Sequence, residues 1–246
     1  MLTVSDRDLG TGEATWLTWP ALTEAPAFPL APHQHLVVLA PHPDDETLAA
    51  GGLMRQFASR GGVIDLVAVT DGDASHPRLP DREVLRSRRR RERGEALRRL
   101  GVDPVVHELA LPDGEVGNHE RHLVARLRDL LDPSSLCLSP WRHDGHPDHD
   151  AVGRAAVEAA RRSGARLVEY PVWAWHWASP GRGLPPLQLR RLALSAGDLA
   201  AKRRAIGRFT SQTRPLAGSP ADPVVLPPAV LARFHRPFET YLVGAP

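Results

Sequence analysis

This sequence predicts a mostly parallel α/β sheet with helices on both faces, and three observations carry the prediction. Short apolar runs of strand length alternate with longer segments of helical period. That βαβα alternation needs crossover connections, which cover a parallel sheet on both sides. Clusters of acids and histidines then follow two of the apolar runs directly, at strand exits where open sheets of this kind bind their ligands.

The first strand is read at 35–40, on the apolar run Leu36-Val37-Val38-Leu39, and a helix at 45–60 follows it, which Asp44 or Asp45 can cap. Strand 63–70 leads into helix 82–100, where Leu85, Ala96, Leu97 and Leu100 supply the apolar face. Strand 105–110 precedes helix 116–131. Strand 135–139, built on Leu136-Cys137-Leu138, precedes helix 148–163, which Asp148 can cap. Strand 166–169, a further strand at 188–194 and helix 196–209 complete the pattern. If the first and fourth strands are neighbours, their exit loops open into one crevice. Residues 1–32 read as an irregular arm. A proline-rich tail over 210–246 is expected to wrap the surface, especially at 215–237. No internal repeat or second domain is visible, so 1–246 is expected to form one domain.

At 246 residues the chain can bury a substantial core. Its 42% hydrophobic and 24% charged content is ordinary for a globular protein. No apolar run approaches the roughly 20 residues that span a bilayer, and residues 1–20 lack a secretory pattern. A single cysteine, Cys137, excludes an internal disulfide framework and a thiolate metal site. A cytoplasmic protein is the expectation. The basic residues are arginines, apart from Lys202. The arginine-rich run 86–93 falls on a helix and reads as a solvated face with one or two arginines turned inward, not as a nucleic-acid site.

The chemistry concentrates in Pro41-His42-Pro43-Asp44-Asp45-Glu46 and Gly145-His146-Pro147-Asp148-His149. His42 and Asp45 are three residues apart at a strand-to-helix turn, as are His146 and His149 at a helix start, so each pair can converge on one point. The first loop lacks the glycine fingerprint of a dinucleotide site. Two histidines and one aspartate make a plausible catalytic zinc set, leaving Asp44 and one histidine for proton transfer. Turn and cap chemistry is the plainer reading of either loop alone. A two-histidine, one-carboxylate set also matches non-haem iron oxygenases, although those usually occupy all-β barrels.

Pro41-His42-Pro43-Asp44-Asp45-Glu46 resembles the Ala-His-Pro-Asp-Asp-Glu signature of the LmbE/PIG-L superfamily of zinc-dependent N-deacetylases, with Pro41 in place of alanine. Gly145-His146-Pro147-Asp148-His149 resembles that family's second motif, Thr70-Asp71-Gly72-Asp73 its turn after the second strand, and Arg89 to Glu92 with Leu100-Gly101 its next helix. The likeness covers roughly 35–163. It implies a Rossmann-like α/β domain in which His42, Asp45 and His149 hold Zn2+, with Fe2+ or another divalent metal as alternatives. It implies Asp44 as general base and His146, protonated, as acid or electrostatic stabiliser oriented by Asp148. Arg89 and Asp113 fall where relatives contact sugar hydroxyls. Where some relatives carry a tyrosine, this chain has Asp144.

The implied reaction removes an N-acyl group, foremost N-acetyl, from an amino sugar or glycoconjugate. The metal lowers the pKa of its bound water and polarises the amide carbonyl, while Asp44 takes a proton. The alternatives are an amidase on another linkage (a thiol conjugate or antibiotic intermediate) and a non-catalytic sugar-binding protein of the same fold. A metal-dependent phosphoesterase lacks an evident second ligand set. The expected partner is a small amino-sugar substrate, with neither nucleic acid nor membrane, and a homo-oligomer is left open.

Trp173, Trp175 and Trp177 alternate at strand period and would share one face, either stacking on a sugar or forming a structural cluster, with His176 a candidate pocket residue. His143 and Asp144 are candidates for the pocket mouth. His76 reads as a surface-loop residue and Cys137 as inert core. His107, His119, His122 and His235 read as structural or exposed, and residues 211–213 as a loop that can close over the site.

Overall fold

The computed structural model describes residues 9–30, 35–77, 79, 81–216 and 224–244. Residues 1–8, 31 and 32 of the expected arm, and 217–223, 245 and 246 of the expected tail, lie outside the described residues. The strands are β1 (His35–Ala40), β2 (Val63–Thr70), β3 (Val105–Leu111), β4 (Ser135–Pro140), β5 (Arg166–Tyr170), β6 (Leu189–Ala193) and β7 (Phe238–Leu242). The helices are α1 (Glu13–Leu17), α2 (Pro20–Thr23), α3 (Asp45–Ala58), α4 (Arg82–Leu100), α5 (Glu120–Arg128), α6 (Pro147–Ser163), α7 (Ala174–Trp177), α8 (Ala196–Ile206), α9 (Thr210–Thr213) and α10 (Pro228–Leu231).

One sheet runs in the order β3-β2-β1-β4-β5-β7-β6. β1 to β5 pair in parallel, and β7 lies antiparallel between β5 and β6. His35 stands opposite Val63 on one side and Ser135 on the other, so β1 and β4 are neighbours and the strand order reverses between them.

Strand alternation divides the core between the two faces. Leu36, Val38, Leu136 and Leu138 join the larger cluster with Leu53 of α3, Leu97 of α4 and Ala205 of α8. Val37, Leu39 and Cys137 join the smaller one with Leu123 and Leu127 of α5 and Val152 of α6. Because successive side chains of a strand point to opposite faces, both neighbours of each central residue are buried. This is why β1 and β4 are continuous apolar runs.

The structure departs from the sequence reading in four places. Described residues of the arm form α1 and α2, with Trp16 wholly buried. The helix expected over 116–131 is a 3-10 turn, Val116–His119, followed by α5. The expected surface tail instead contributes β7 to the interior of the sheet, with Tyr241 wholly buried. The alternating tryptophans lie around a helical turn, α7, so they share no strand face.

Candidate metal centre and its cleft

β1 runs out into α3 through residues 41–44, and β4 into α6 through 141–146, so both loops meet where the strand order reverses. There His42 Nδ1, Asp45 Oδ2 and His149 Nε2 form a triangle. Its edges are 3.3 Å from His42 to Asp45, 3.2 Å from Asp45 to His149 and 3.3 Å between the two nitrogens. Ligands bound at roughly 2.0–2.1 Å and tetrahedral angles stand about 3.3–3.4 Å apart. The three atoms therefore have the spacing of three corners around one cation, and the donor set suits zinc and related divalent metals. A ring nitrogen of His146 lies within 4.8 Å of those of His42 and His149.

The outer nitrogen of each paired imidazole faces carboxylate. His42 Nε2 is 3.2 Å from Asp148 Oδ2 and 3.2 Å from Asp113 Oδ1. His149 Nδ1 is 2.9 Å from Asp144 Oδ2, off the line of an aligned hydrogen bond. A second grouping, His42 with Asp113 and Asp148, is also compact enough for a cation. Its carboxylates are already acceptors, however: Asp148 takes the amides of Gly114 (2.8 Å) and Val116 (3.1 Å), and Asp113 that of Ala74 (2.7 Å). They are better placed to hold a proton on His42 Nε2, which leaves Nδ1 for an ion.

Burial makes these charges interdependent. It opposes charge on His42 and His149, yet their acidic neighbours win. Asp113, Asp148 and Asp45 raise His42 well above its ordinary value, and Asp45 with Asp144 raises His149 to about 9. Burial also works against an ionised Asp45, but the charge on His149 and the hydrogen bonds from both imidazoles hold it well below the usual carboxylate range. The acidic surroundings thus stabilise positive charge at the triangle, and a divalent cation would replace those protons.

Asp44 is different. Burial first, then Asp45 and Glu46, push its carboxyl up to about 8 against the opposing influence of Arg89. That is near the value at which a general base works at neutral pH. Asp44 has φ 138°, a left-handed backbone that an aspartate adopts only under constraint. Its carbonyl accepts from Thr47 (2.9 Å) and Leu48 (2.8 Å), and its N–H donates to Glu46 Oε2 (3.1 Å). Arg89 Nη2 donates to Asp44 Oδ2 at 3.1 Å and to Pro43 O at 2.8 Å.

Asp148 contacts His146 through its backbone, the N–H donating to His146 Nδ1 at 3.2 Å, while its carboxylate faces His42. Burial first, then the charges of His42 and His149, push the His146 imidazole down to about 3, which favours the neutral ring over the protonated one expected. With Nδ1 accepting, its ring proton sits on Nε2.

The cleft beside the triangle is lined by His42, Asp44, Asp45, Arg89, Asp113 and His146 on the polar side. Leu48, Val172, Trp173, Val225 and Leu226 form an apolar wall, with Ser75 and Gln212 between. Arg89 lines the cleft, but its terminal nitrogens are committed to Gly72, Pro43 and Asp44. Gly72 is required here, because a Cβ would stand 1.9 Å from Arg89 Nη1.

Of the weaker candidates, Trp173 stacks on His146 at 5.5 Å and 28°. Trp175 packs edge-on against Trp16 in the core. His176, His143 and Asp144 are not among the residues lining the cleft, and Asp144 is wholly buried. His76, read as a surface residue, is buried against Ser75 Oγ at 3.0 Å. Arg89 and Arg93 are the inward-turned arginines of α4. Cys137 is buried, and burial pushes its thiol up to about 12. Among the described residues, no helix is long and apolar enough to cross a membrane.

A family profile described as PIG-L: GlcNAc-PI de-N-acetylase matches residues 37–160. The chain is 29% identical over 137 residues to a probable N-acetyl-alpha-D-glucosaminyl L-malate deacetylase 2 of Bacillus cereus, across 52% of this chain and 62% of that protein. It is 30% identical over 157 residues to a 1D-myo-inositol 2-acetamido-2-deoxy-alpha-D-glucopyranoside deacetylase of Streptomyces avermitilis, across 52% and 53% of the two lengths. The chain therefore spans less than two thirds of either relative. The solved structure of the conserved protein TT1542 from Thermus thermophilus is 28% identical with a TM-score of 0.54, covering 72% of this chain and 79% of that one.

Proposed function

The chain belongs to the PIG-L family of GlcNAc-PI de-N-acetylases, and from that premise we propose that it hydrolyses the N-acetyl amide of an amino sugar. The observation that carries this reading is the triangle of His42 Nδ1, Asp45 Oδ2 and His149 Nε2, with Asp44 on the adjoining wall of the same cleft. The ion proposed there is zinc, held by those three residues; when bound, it supplies a water of lowered pKa and polarises the amide carbonyl.

The remaining steps belong to the chain's own residues. Asp44, with a carboxyl poised near neutrality, takes the proton of the attacking water and returns it to the leaving amine, which departs neutral. Neutral His146 directs its Nε2–H toward the carbonyl oxygen as negative charge develops there. The Asp148 N–H and the Trp173 ring fix the plane of His146. Arg89 keeps Asp44 aimed into the cleft from behind, and Asp113 offers a carboxylate beside His42 to sugar hydroxyls.

The names of the two sequence relatives share an N-acetylglucosaminyl group and differ in what it is joined to, malate or inositol. That favours N-acetylglucosamine as the recognised part, with the aglycone read elsewhere.

The test is release of primary amine from a panel of N-acetylglucosaminyl conjugates by zinc-loaded protein, with metal content measured in parallel. Turnover abolished by a chelator and restored by zinc is expected. Asp44→Asn should keep its metal and lose about 10²–10⁴ in kcat. Amine release unaffected by the chelator, or by Asp44→Asn, would contradict the mechanism.

A further inference from the structure

We propose that Asp144 is a positioning residue that ties the metal-facing geometry of His149 to the wall of the substrate cleft. This rests on the metal-site reading above and extends it to a side chain outside both the ligand set and the cleft. Asp144 is wholly buried, and its contacts reach in two directions. Oδ1 accepts from the amides of Val172 and Ala174, each at 2.9 Å. Oδ2 accepts from the amide of Trp173 at 2.9 Å and lies 2.9 Å from His149 Nδ1. Its own carbonyl accepts from Trp177 Nε1 at 2.7 Å.

Both oxygens are therefore acceptors of backbone N–H groups, and what they offer His149 is a further acceptor position. With a cation at the triangle in place of the second proton, that acceptor favours the ring proton of His149 on Nδ1 and the lone pair on Nε2, the nitrogen at the triangle. The same carboxylate holds the turn that seats Val172 and Trp173 in the cleft, with Trp173 stacked on His146. One buried group thus fixes a ligand on α6 and a cleft wall on the loop after β5. His42 has the opposite arrangement: carboxylates face its Nε2, and Nδ1 is at the triangle.

Asp144→Asn separates the two contributions. The amide oxygen can keep Val172 and Ala174, but the nitrogen replacing Oδ2 is a donor. It cannot accept from Trp173, and it asks His149 Nδ1 to accept, which drives the ring proton to the metal-facing Nε2.

Zinc affinity of the full chain is measured by chelator competition on wild type and Asp144→Asn, with circular dichroism of the metal-free proteins alongside. The expected result is a folded variant that binds zinc about 10–100-fold more weakly. At saturating zinc its KM is raised through the displaced Trp173 wall. Wild-type affinity in a folded variant overturns the proposal. If wild type itself binds no zinc, the metal-site reading fails instead.

A second measurement needs no variant: ¹⁵N-histidine NMR of zinc-loaded wild type. His149 coordinated through Nε2 with a protonated Nδ1, alongside His42 coordinated through Nδ1, is expected. His149 coordinated through Nδ1 overturns the proposal even if Asp144→Asn fails to fold.

Discussion

Asp44 carries two burdens, a left-handed backbone and a buried carboxyl, and Arg89 relieves the second. Strain of this kind costs on the order of 1–3 kcal/mol and persists where surrounding contacts over-determine it. Here the contacts are the helix start at Thr47 and Leu48 and the Arg89 bridge to Pro43, Gly72 and Asp44. Because the guanidinium lowers a carboxyl that burial has raised, its removal leaves Asp44 protonated to higher pH. A base must be deprotonated to act. Arg89→Gln should therefore move the acid limb of the kcat/KM–pH profile upward by about 1–3 units, and Arg89→Lys by less. An unmoved or lowered limb would show that Arg89 does not set the base. The members of the triangle were legible because each loop brings its own histidine and acid or second histidine together over a few residues. Asp144 was not, since its role depends on contacts with residues 172–174, almost 30 positions away.

At the scale of elements, the same long-range contacts explain where periodicity misled. Trp173, Trp175 and Trp177 alternate as a strand would, but the Asp144 carboxylate gathers the amides of residues 172–174 and starts a helical turn there. Gly145 permits this packing: it has φ 90°, and a Cβ would stand 2.6 Å from Trp177 Nε1. β7 was equally hidden, because Phe238–Leu242 follows a proline-rich stretch and carries a glutamate near its start. That glutamate explains the strand. Glu239 accepts from Lys202 Nζ (2.6 Å), the amides of Gly52 (2.7 Å) and Leu53 (2.8 Å), and Tyr241 Oη (2.8 Å). Lys202 and Glu239 are both almost wholly buried, so the chain's lone lysine is a core residue. Removing one member of such a pair strands the other. Glu239→Ala should cost about 3–5 kcal/mol in urea unfolding. Adding Lys202→Met should recover part of that loss. A loss under about 1 kcal/mol, in the range of an exposed pair, would mean that this pair does not hold β7 in the sheet.

For the whole molecule, the decisive fact is the order β3-β2-β1-β4-β5, which puts the exits of β1 and β4 side by side. Alternating apolar and helical segments made that topology readable, because crossover connections and burial on both faces leave few other arrangements. The exterior was less readable. The arm and tail have compositions that fit many paths, and only packing assigns Trp16 to the core and Leu226 to the cleft wall. Everything proposed about catalysis follows from the two loops meeting at one point. X-ray diffraction from zinc-loaded crystals, with anomalous data at the zinc edge, tests this directly. One strong peak is expected, about 2 Å from His42 Nδ1, Asp45 Oδ2 and His149 Nε2. A peak on His42 Nε2, Asp113 and Asp148, or none near His42, would contradict it.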